Sequence, residues 1–225
     1  MIFLKGEEYM KSKENFVDYS LYLVTERQML RNISMEEAVE QAILGGVTLV
    51  QLREKDVTTL EFYNIAVKVK KITDKYSIPL IINDRLDIAL AVDAAGLHVG
   101  QSDMPAKVAR KILGDNKILG VSAATINEAL QAVEDGADYI GTGAVFATDT
   151  KKDAKYVNIR QLKEITGKIS IPVVAIGGIN EDNIDILKGT GIKGVAVVSA
   201  IMGKENIRKA SENLKKTWET CRKGR

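Results

Sequence analysis

The sequence predicts an α/β protein, a single (β/α)8 TIM barrel with a short N-terminal extension, from three observations. Eight apolar strand-like runs alternate with segments of helical period. Capping residues and glycines punctuate the boundaries between them. The 225 residues accommodate eight such units and leave no second domain over. The extension is assigned to residues 1–18 and the barrel to 19–225.

The strand-like runs fall at 21–24, 49–52, 79–82, 96–99, 118–121, 139–141, 172–176 and 194–198. Between them, Met35, Ala38, Val39 and Ala42, and likewise Ile126, Ala129, Leu130 and Val133, repeat at three and four residues, which places apolar side chains on one helical face. Ser34 with Glu37, Thr58 with Glu61 and Thr125 with Glu128 match the capping-box spacing at helix starts. Gly45-Gly46, Gly96, Gly136 and Gly191 fit helix termination before a strand. A late amphipathic segment, Ile207, Ala210, Leu214 and Trp218, carries Cys221, which reads as a core thiol, and the basic residues Lys215-Lys216 and Arg222-Lys223 read as a solvated helix end.

Composition removes several mechanisms. A 45% hydrophobic and 28% charged balance is that of an ordinary soluble protein. His98 is the one histidine and Cys221 the one cysteine, too few for a Cys/His zinc site, and a histidine-based catalytic triad would have no other histidine to draw on. A net charge of +2 with mixed signs along the helices gives no nucleic-acid footprint. The apolar run in 1–18 is too short for a signal peptide or a membrane span, so a cytoplasmic protein without membrane association is expected.

In such a barrel the chemistry belongs at the C-terminal ends of the strands. Gln51, Arg53 and Lys55 alternate onto one face at the end of strand two, and two cations there call for something anionic. Asn83-Asp84-Arg85, Gly100-Gln101-Ser102-Asp103 and Ser122 fall on the same rim. Asp84 and Asp103 end neighbouring strands, where magnesium would relieve their repulsion, although each alone also fits a helix cap. The stretch 146–153, with Thr148, Thr150 and Lys151, reads as a long loop able to close over a ligand or as a charged surface loop. Gly177-Gly178 after strand seven and Ser199 after strand eight occupy a frequent phosphate-binding position.

Tyr22-Leu23-Val24-Thr25, Gln51 to Lys55, Asn83-Asp84-Arg85, Gly100-Gln101-Ser102-Asp103, Gly120-Val121-Ser122-Ala123, Thr148 to Lys152 and Gly177-Gly178 together resemble the thiamine-phosphate synthase family, in order from about Leu21 to Gly203. The resemblance implies a Mg2+-assisted transferase that joins a hydroxymethylpyrimidine diphosphate to a thiazole phosphate, forming a C–N bond and releasing pyrophosphate. It places Gln51, Leu52, Arg53, Glu54, Lys55, Asn83, Ser122 and Lys151 on the pyrimidine diphosphate, with Arg53, Lys55, Ser122 and Lys151 catalytic. Thr148, Asp149, Thr150, Gly178, Val198 and Ser199 would hold the thiazole phosphate, and Asp84 and Asp103 the metal. The partners implied are small phosphorylated substrates, and a homo-oligomer is compatible with them. Ala124 replaces a common histidine, and Gly143-Ala144-Val145 and Ala147 lack the family's usual loop prolines, which bears on loop closure before reaction type. Rival readings are a thiazole tautomerase, a Schiff-base aldolase using Lys55 or Lys151, and a non-catalytic thiazole phosphate-binding barrel.

Overall fold

A computed structural model describes residues 17–148 and 155–223. Strands β1 (Leu21–Val24), β2 (Leu49–Leu52), β3 (Leu80–Asn83), β4 (Gly96–Val99), β5 (Ile118–Ser122), β6 (Tyr139–Thr142), β7 (Val173–Ile176) and β8 (Gly194–Val197) close into a parallel barrel in chain order. Closure is made by β1 against β8, with Tyr22 opposite Ala196. Pro79 and Pro172 fall just before β3 and β7, because proline has no N–H for the ladder. Their carbonyls still accept from Val50 N and Ile140 N, at 3.2 and 2.9 Å.

Helices α1 (Met35–Leu44), α2 (Thr59–Lys75), α3 (Leu86–Ala91), α4 (Ala106–Leu113), α5 (Ile126–Glu134) and α6 (Ile159–Lys168) follow β1 to β6. Ser34, Thr58 and Thr125 all accept from the backbone three residues on, and the last two complete the reciprocal box. A further box, Asn158 with Gln161, starts α6. After β7 comes only a 3-10 turn, Ile184–Leu187, and β8 is followed by a single turn, α7 (Ser199–Met202), and then α8 (Ile207–Lys223). Gly96 opens β4 and ends no helix; a Cβ there would lie 2.1 Å from Ile118 O, so the position is glycine because two strands crowd together.

Side-chain alternation divides the apolar residues between two regions. Leu21, Leu23, Val50, Leu52, Leu80, Ile82, Leu97, Leu119 and Val195 face outward into the layer beneath the helices. Tyr22, Leu49, Ile81, Tyr139, Val174 and Ala196 face the barrel axis. In α8, Ile207, Ala210, Leu214, Trp218 and Cys221 are all buried, as their spacing requires. Lys216 and Arg222 are solvated, but Lys215 is not: its ammonium donates to Ser20 Oγ at 2.5 Å and pairs with Asp18 at 3.5 Å. It fastens α8 across the base of β1.

Tyr139 fills the axis, with ring centroids 5.1 Å from Tyr19, 6.0 Å from Tyr22 and 5.5 Å from His98. Gly120 makes room for it, since a Cβ there would stand 2.2 Å from Tyr139 Cζ. Gly120→Ala is therefore expected to overpack the axis and cost about 1–3 kcal/mol. Urea unfolding checks this, and an unchanged midpoint would mean that the ring has somewhere else to go.

Candidate active site

The C-terminal strand ends open onto a cavity of about 600 Å3, within the range of small-ligand sites. Its wall includes Gln51, Arg53, Lys55, Asn83, Asp84, Asp103, Ser122, Thr148, Gly178, Val198 and Ser199. Leu52 and Glu54, on the opposite parity, do not line it: Leu52 packs under the helices and Glu54 pairs with Arg27 at 3.0 Å. Burial pushes the Glu54 carboxyl up, and its Oε1 has no hydrogen-bond partner among the described residues. Asp149, Thr150 and Lys151 lie outside the described residues.

β2 ends at Leu52, so Arg53 and Lys55 stand just beyond it at the rim. Thr25 Oγ1 accepts from Arg53 N at 3.0 Å, which anchors the turn. The anion these cations require comes from the protein itself. Glu26, in the loop after β1, accepts from Arg53 Nη1 at 2.5 Å, and Asp84 pairs with Lys55. Glu26 carries no local sequence signal for this role, because its link to Arg53 exists only once β1 and β2 lie side by side.

Asp84 adopts a left-handed backbone, φ +60°, a conformation in which Asp is among the better tolerated residues. Its amide donates to His98 O at 2.8 Å and so prolongs the β3–β4 ladder. Neither acid caps a helix: Arg85 and Pro105 precede α3 and α4, and neither makes a side-chain capping bond. Asp103 instead accepts from Gly100 N at 2.8 Å. Burial chiefly raises the Asp84 carboxyl above the usual range; Lys55 opposes this, and hydrogen bonding and repulsion from Asp103 add to it. The two acids thus do share one small volume. Among the described residues no cluster of three or more His, Cys, Asp or Glu could hold a metal ion. A pair of carboxylates, however, suits magnesium, which takes oxygen ligands and keeps water or substrate oxygens in its other positions.

Across the cavity, Gly177 and Gly178 have φ +100° and +65°, and a Cβ on Gly178 would lie 2.3 Å from Ala147 O. Asn183 pins this cup by donating to Gly178 O at 2.9 Å. Gly178, Ile179 and Ser199 also border a second hollow beside Arg31 and Lys204. The long loop after β6 is tied at its base by Ala144 N to Lys155 O and Val157 N to Ala144 O, both 2.8 Å. Lys155 reaches Glu128 at 2.9 Å, and both line the cavity, although Glu128 is legible in the sequence only as a capping residue and Lys155 not at all. Tyr22, His98 and Tyr139 form the floor, and of these only Tyr22 falls within the resembling motifs, with no role attached to it. Their signal was present as polar or aromatic residues at inward strand positions.

These features define a class, a (β/α)8-barrel enzyme whose mouth gathers cations, paired acids and a glycine cup around one cavity. The family described as thiamine monophosphate synthase matches residues 21–201. A thiamine-phosphate synthase of Clostridium beijerinckii is 59% identical over 199 residues, covering 88% of this chain and 95% of that protein. Another, of Methanobrevibacter smithii, is 56% identical over 209 residues, covering 91% and 98%. The thiamine phosphate pyrophosphorylase of Pyrococcus furiosus has the same fold, with a TM-score of 0.84 at 42% identity, covering 91% of this chain and 97% of that one. The chain belongs to the thiamine-phosphate synthase family, and is a transferase. No helix among the described residues is long and apolar enough to cross a membrane.

Replacing Asp84 with Asn should keep the left-handed backbone and remove a carboxylate whose folded form is harder to ionise than its unfolded form. Such a group lowers stability as pH rises through its raised native value. Asp84→Asn is expected to be more stable than the parent at pH 7, with the gain vanishing in acid where the carboxyl is protonated in both states. Urea midpoints across pH measure this. In Asp103→Asn the Asp84 carboxyl should titrate lower, read by carboxyl-carbon NMR.

Proposed function

We propose that the chain condenses a hydroxymethylpyrimidine diphosphate with a thiazole phosphate, or its carboxylated tautomer, to give thiamine phosphate and pyrophosphate in the cytoplasm, with carbon dioxide as a further product when the carboxylated form reacts. The observation that carries this reading is the meeting of Arg53, Lys55, Asp84 and Asp103 on a cavity whose far wall is the Gly178 and Ser199 cup. Two phosphorylated substrates need two anion sites, and Arg53 with Lys55 on one wall and the Gly178 and Ser199 cup on the other would supply them.

In this reading Gln51, Asn83, Ser122, Arg53 and Lys55, joined by Lys151 from the long loop, hold the pyrimidine diphosphate, with Arg53 and Lys55 on its phosphates. Arg53 is suited to the task because its planar guanidinium can grip phosphate oxygens while Glu26 fixes its position. The backbone at Gly178 and Val198, with Ser199, Thr148, Asp149 and Thr150, would hold the thiazole phosphate so that the ring nitrogen faces the reacting carbon. Asp84 and Asp103 would hold magnesium, which when bound supplies charge neutralisation to the diphosphate.

The displacement follows a dissociative path. The carbon–oxygen bond breaks as the electron-rich aminopyrimidine takes up positive charge and Arg53 and Lys55 stabilise the departing pyrophosphate. The thiazole nitrogen then attacks that carbon, and no protein side chain becomes covalently attached. Positioning and charge stabilisation carry the rate. The pairing of Lys55 with Asp84 suits a phosphate clamp better than a Schiff-base nucleophile.

The decisive experiment incubates the protein with both substrates and measures pyrophosphate and thiamine phosphate with and without chelator. Product that forms undiminished with chelator would remove the metal from the reading, and no product under any condition would favour a binding barrel. Arg53→Ala and Asp84→Ala should each lower kcat by about 10²–10³-fold without loss of fold, and an unchanged rate in either would contradict its role.

A further inference from the structure

Beneath the site, a continuous hydrogen-bonded relay crosses the barrel interior from β2 to β5. Gln51 Nε2 donates to the Tyr22 hydroxyl at 2.8 Å, and the hydroxyls of Tyr22 and Tyr139 lie 2.7 Å apart. Tyr139 continues to His98 Nδ1 at 2.9 Å, and His98 Nε2 reaches Ser122 Oγ at 2.9 Å. Tyr22 and Tyr139 are 1% and 0% exposed, so the links through their two hydroxyls are made within the protein.

Each hydroxyl has a single hydrogen, so the direction of one link determines the next. Tyr22 accepts from Gln51; its own hydrogen must then go to Tyr139, because leaving it without an acceptor in a dry interior is costly. Tyr139, accepting from Tyr22, gives its hydrogen to His98 Nδ1. That ring nitrogen is therefore the acceptor, and the imidazole proton sits on Nε2, where it donates to Ser122 Oγ. Burial raises both tyrosines, which keeps the two phenols protonated and the relay intact. The opposite polarity would turn the Gln51 amide around and leave Ser122 offering lone pairs to a site that receives anions.

We propose that His98 is a positioning residue, held as the Nε2–H tautomer by Tyr139, and that it turns the Ser122 hydroxyl hydrogen into the cavity. The substrate atom resting on Ser122 is then a hydrogen-bond acceptor. This rests on the reading of Ser122 as a pyrimidine diphosphate contact. The geometry of the cavity wall serves it, because Ser122 is the one relay member at the C-terminal end of its strand, while His98 lies on the neighbouring strand, its ring against Gly141, where a Cβ would come within 3.1 Å.

The chain has one histidine, so selective imidazole nitrogen-15 labelling of the whole protein gives an unambiguous signal. The expected spectrum has a protonated Nε2 and a bare Nδ1. A proton on Nδ1, or an exchange-averaged pair, would overturn the proposal without any mutation. A double-mutant cycle then tests the coupling. Ser122→Ala should lower kcat/KM; His98→Asn, too short to reach Ser122, should lower it roughly tenfold in the parent and leave it unchanged in the Ser122→Ala background. His98→Gln, which can place an N–H near the original Nε2, should restore most of the loss. An equal loss from His98→Asn in both backgrounds would make His98 merely structural, with the Ser122 assignment standing. Full activity in Ser122→Ala would overturn that assignment and the proposal with it.

Discussion

Closing eight parallel strands on themselves forces every second side chain into one shared volume, and the rest of the molecule follows from how that volume is filled. Lower down it is packed solid by Tyr19, Leu49, Ile81, Tyr139 and Val174. The large Tyr139 ring is possible only because Gly120 on the next strand contributes nothing. Towards the strand ends the inward residues become polar, as Gln51, Asn83, His98 and Ser122, and beyond them the volume opens as the cavity. One alternation thus yields both a core and a site, with the aromatic layer as the floor on which the polar groups stand.

That alternation is also why the fold could be read from the chain. Short apolar runs bounded by capping pairs at Thr58 and Thr125 have few other ways to bury themselves, and the strands fall within a residue or so of the expected places. The misreadings are those where a residue answers to a neighbour far away in sequence. Gly96 is small because of Ile118, and Lys215 is held by Ser20 and Asp18 across nearly the whole chain.

The site divides similarly. Arg53, Lys55, Asp84 and Asp103 could be named because strand ends and period two place them on one rim. Parity likewise separates Leu52 and Glu54 from them. What local pattern does not encode is partnership: Glu26 meets Arg53, Lys155 meets Glu128, and Asn183 pins Gly178 only after the barrel has closed. The relay through Tyr22, Tyr139 and His98 joins three strands that are not all neighbours, and no motif spans it.

The pairing of Arg53 with Glu26 and of Lys55 with Asp84 gives the mouth counter-charges of its own. These four charges largely cancel, so a pair must loosen before its cation can meet another anion. A lone inorganic phosphate gains little by entering, because it would have to compete with carboxylates already in place. A diphosphate, which under the proposed function engages both cations at once, would offset the loosening of both pairs, so the same pairs would favour it over a smaller anion.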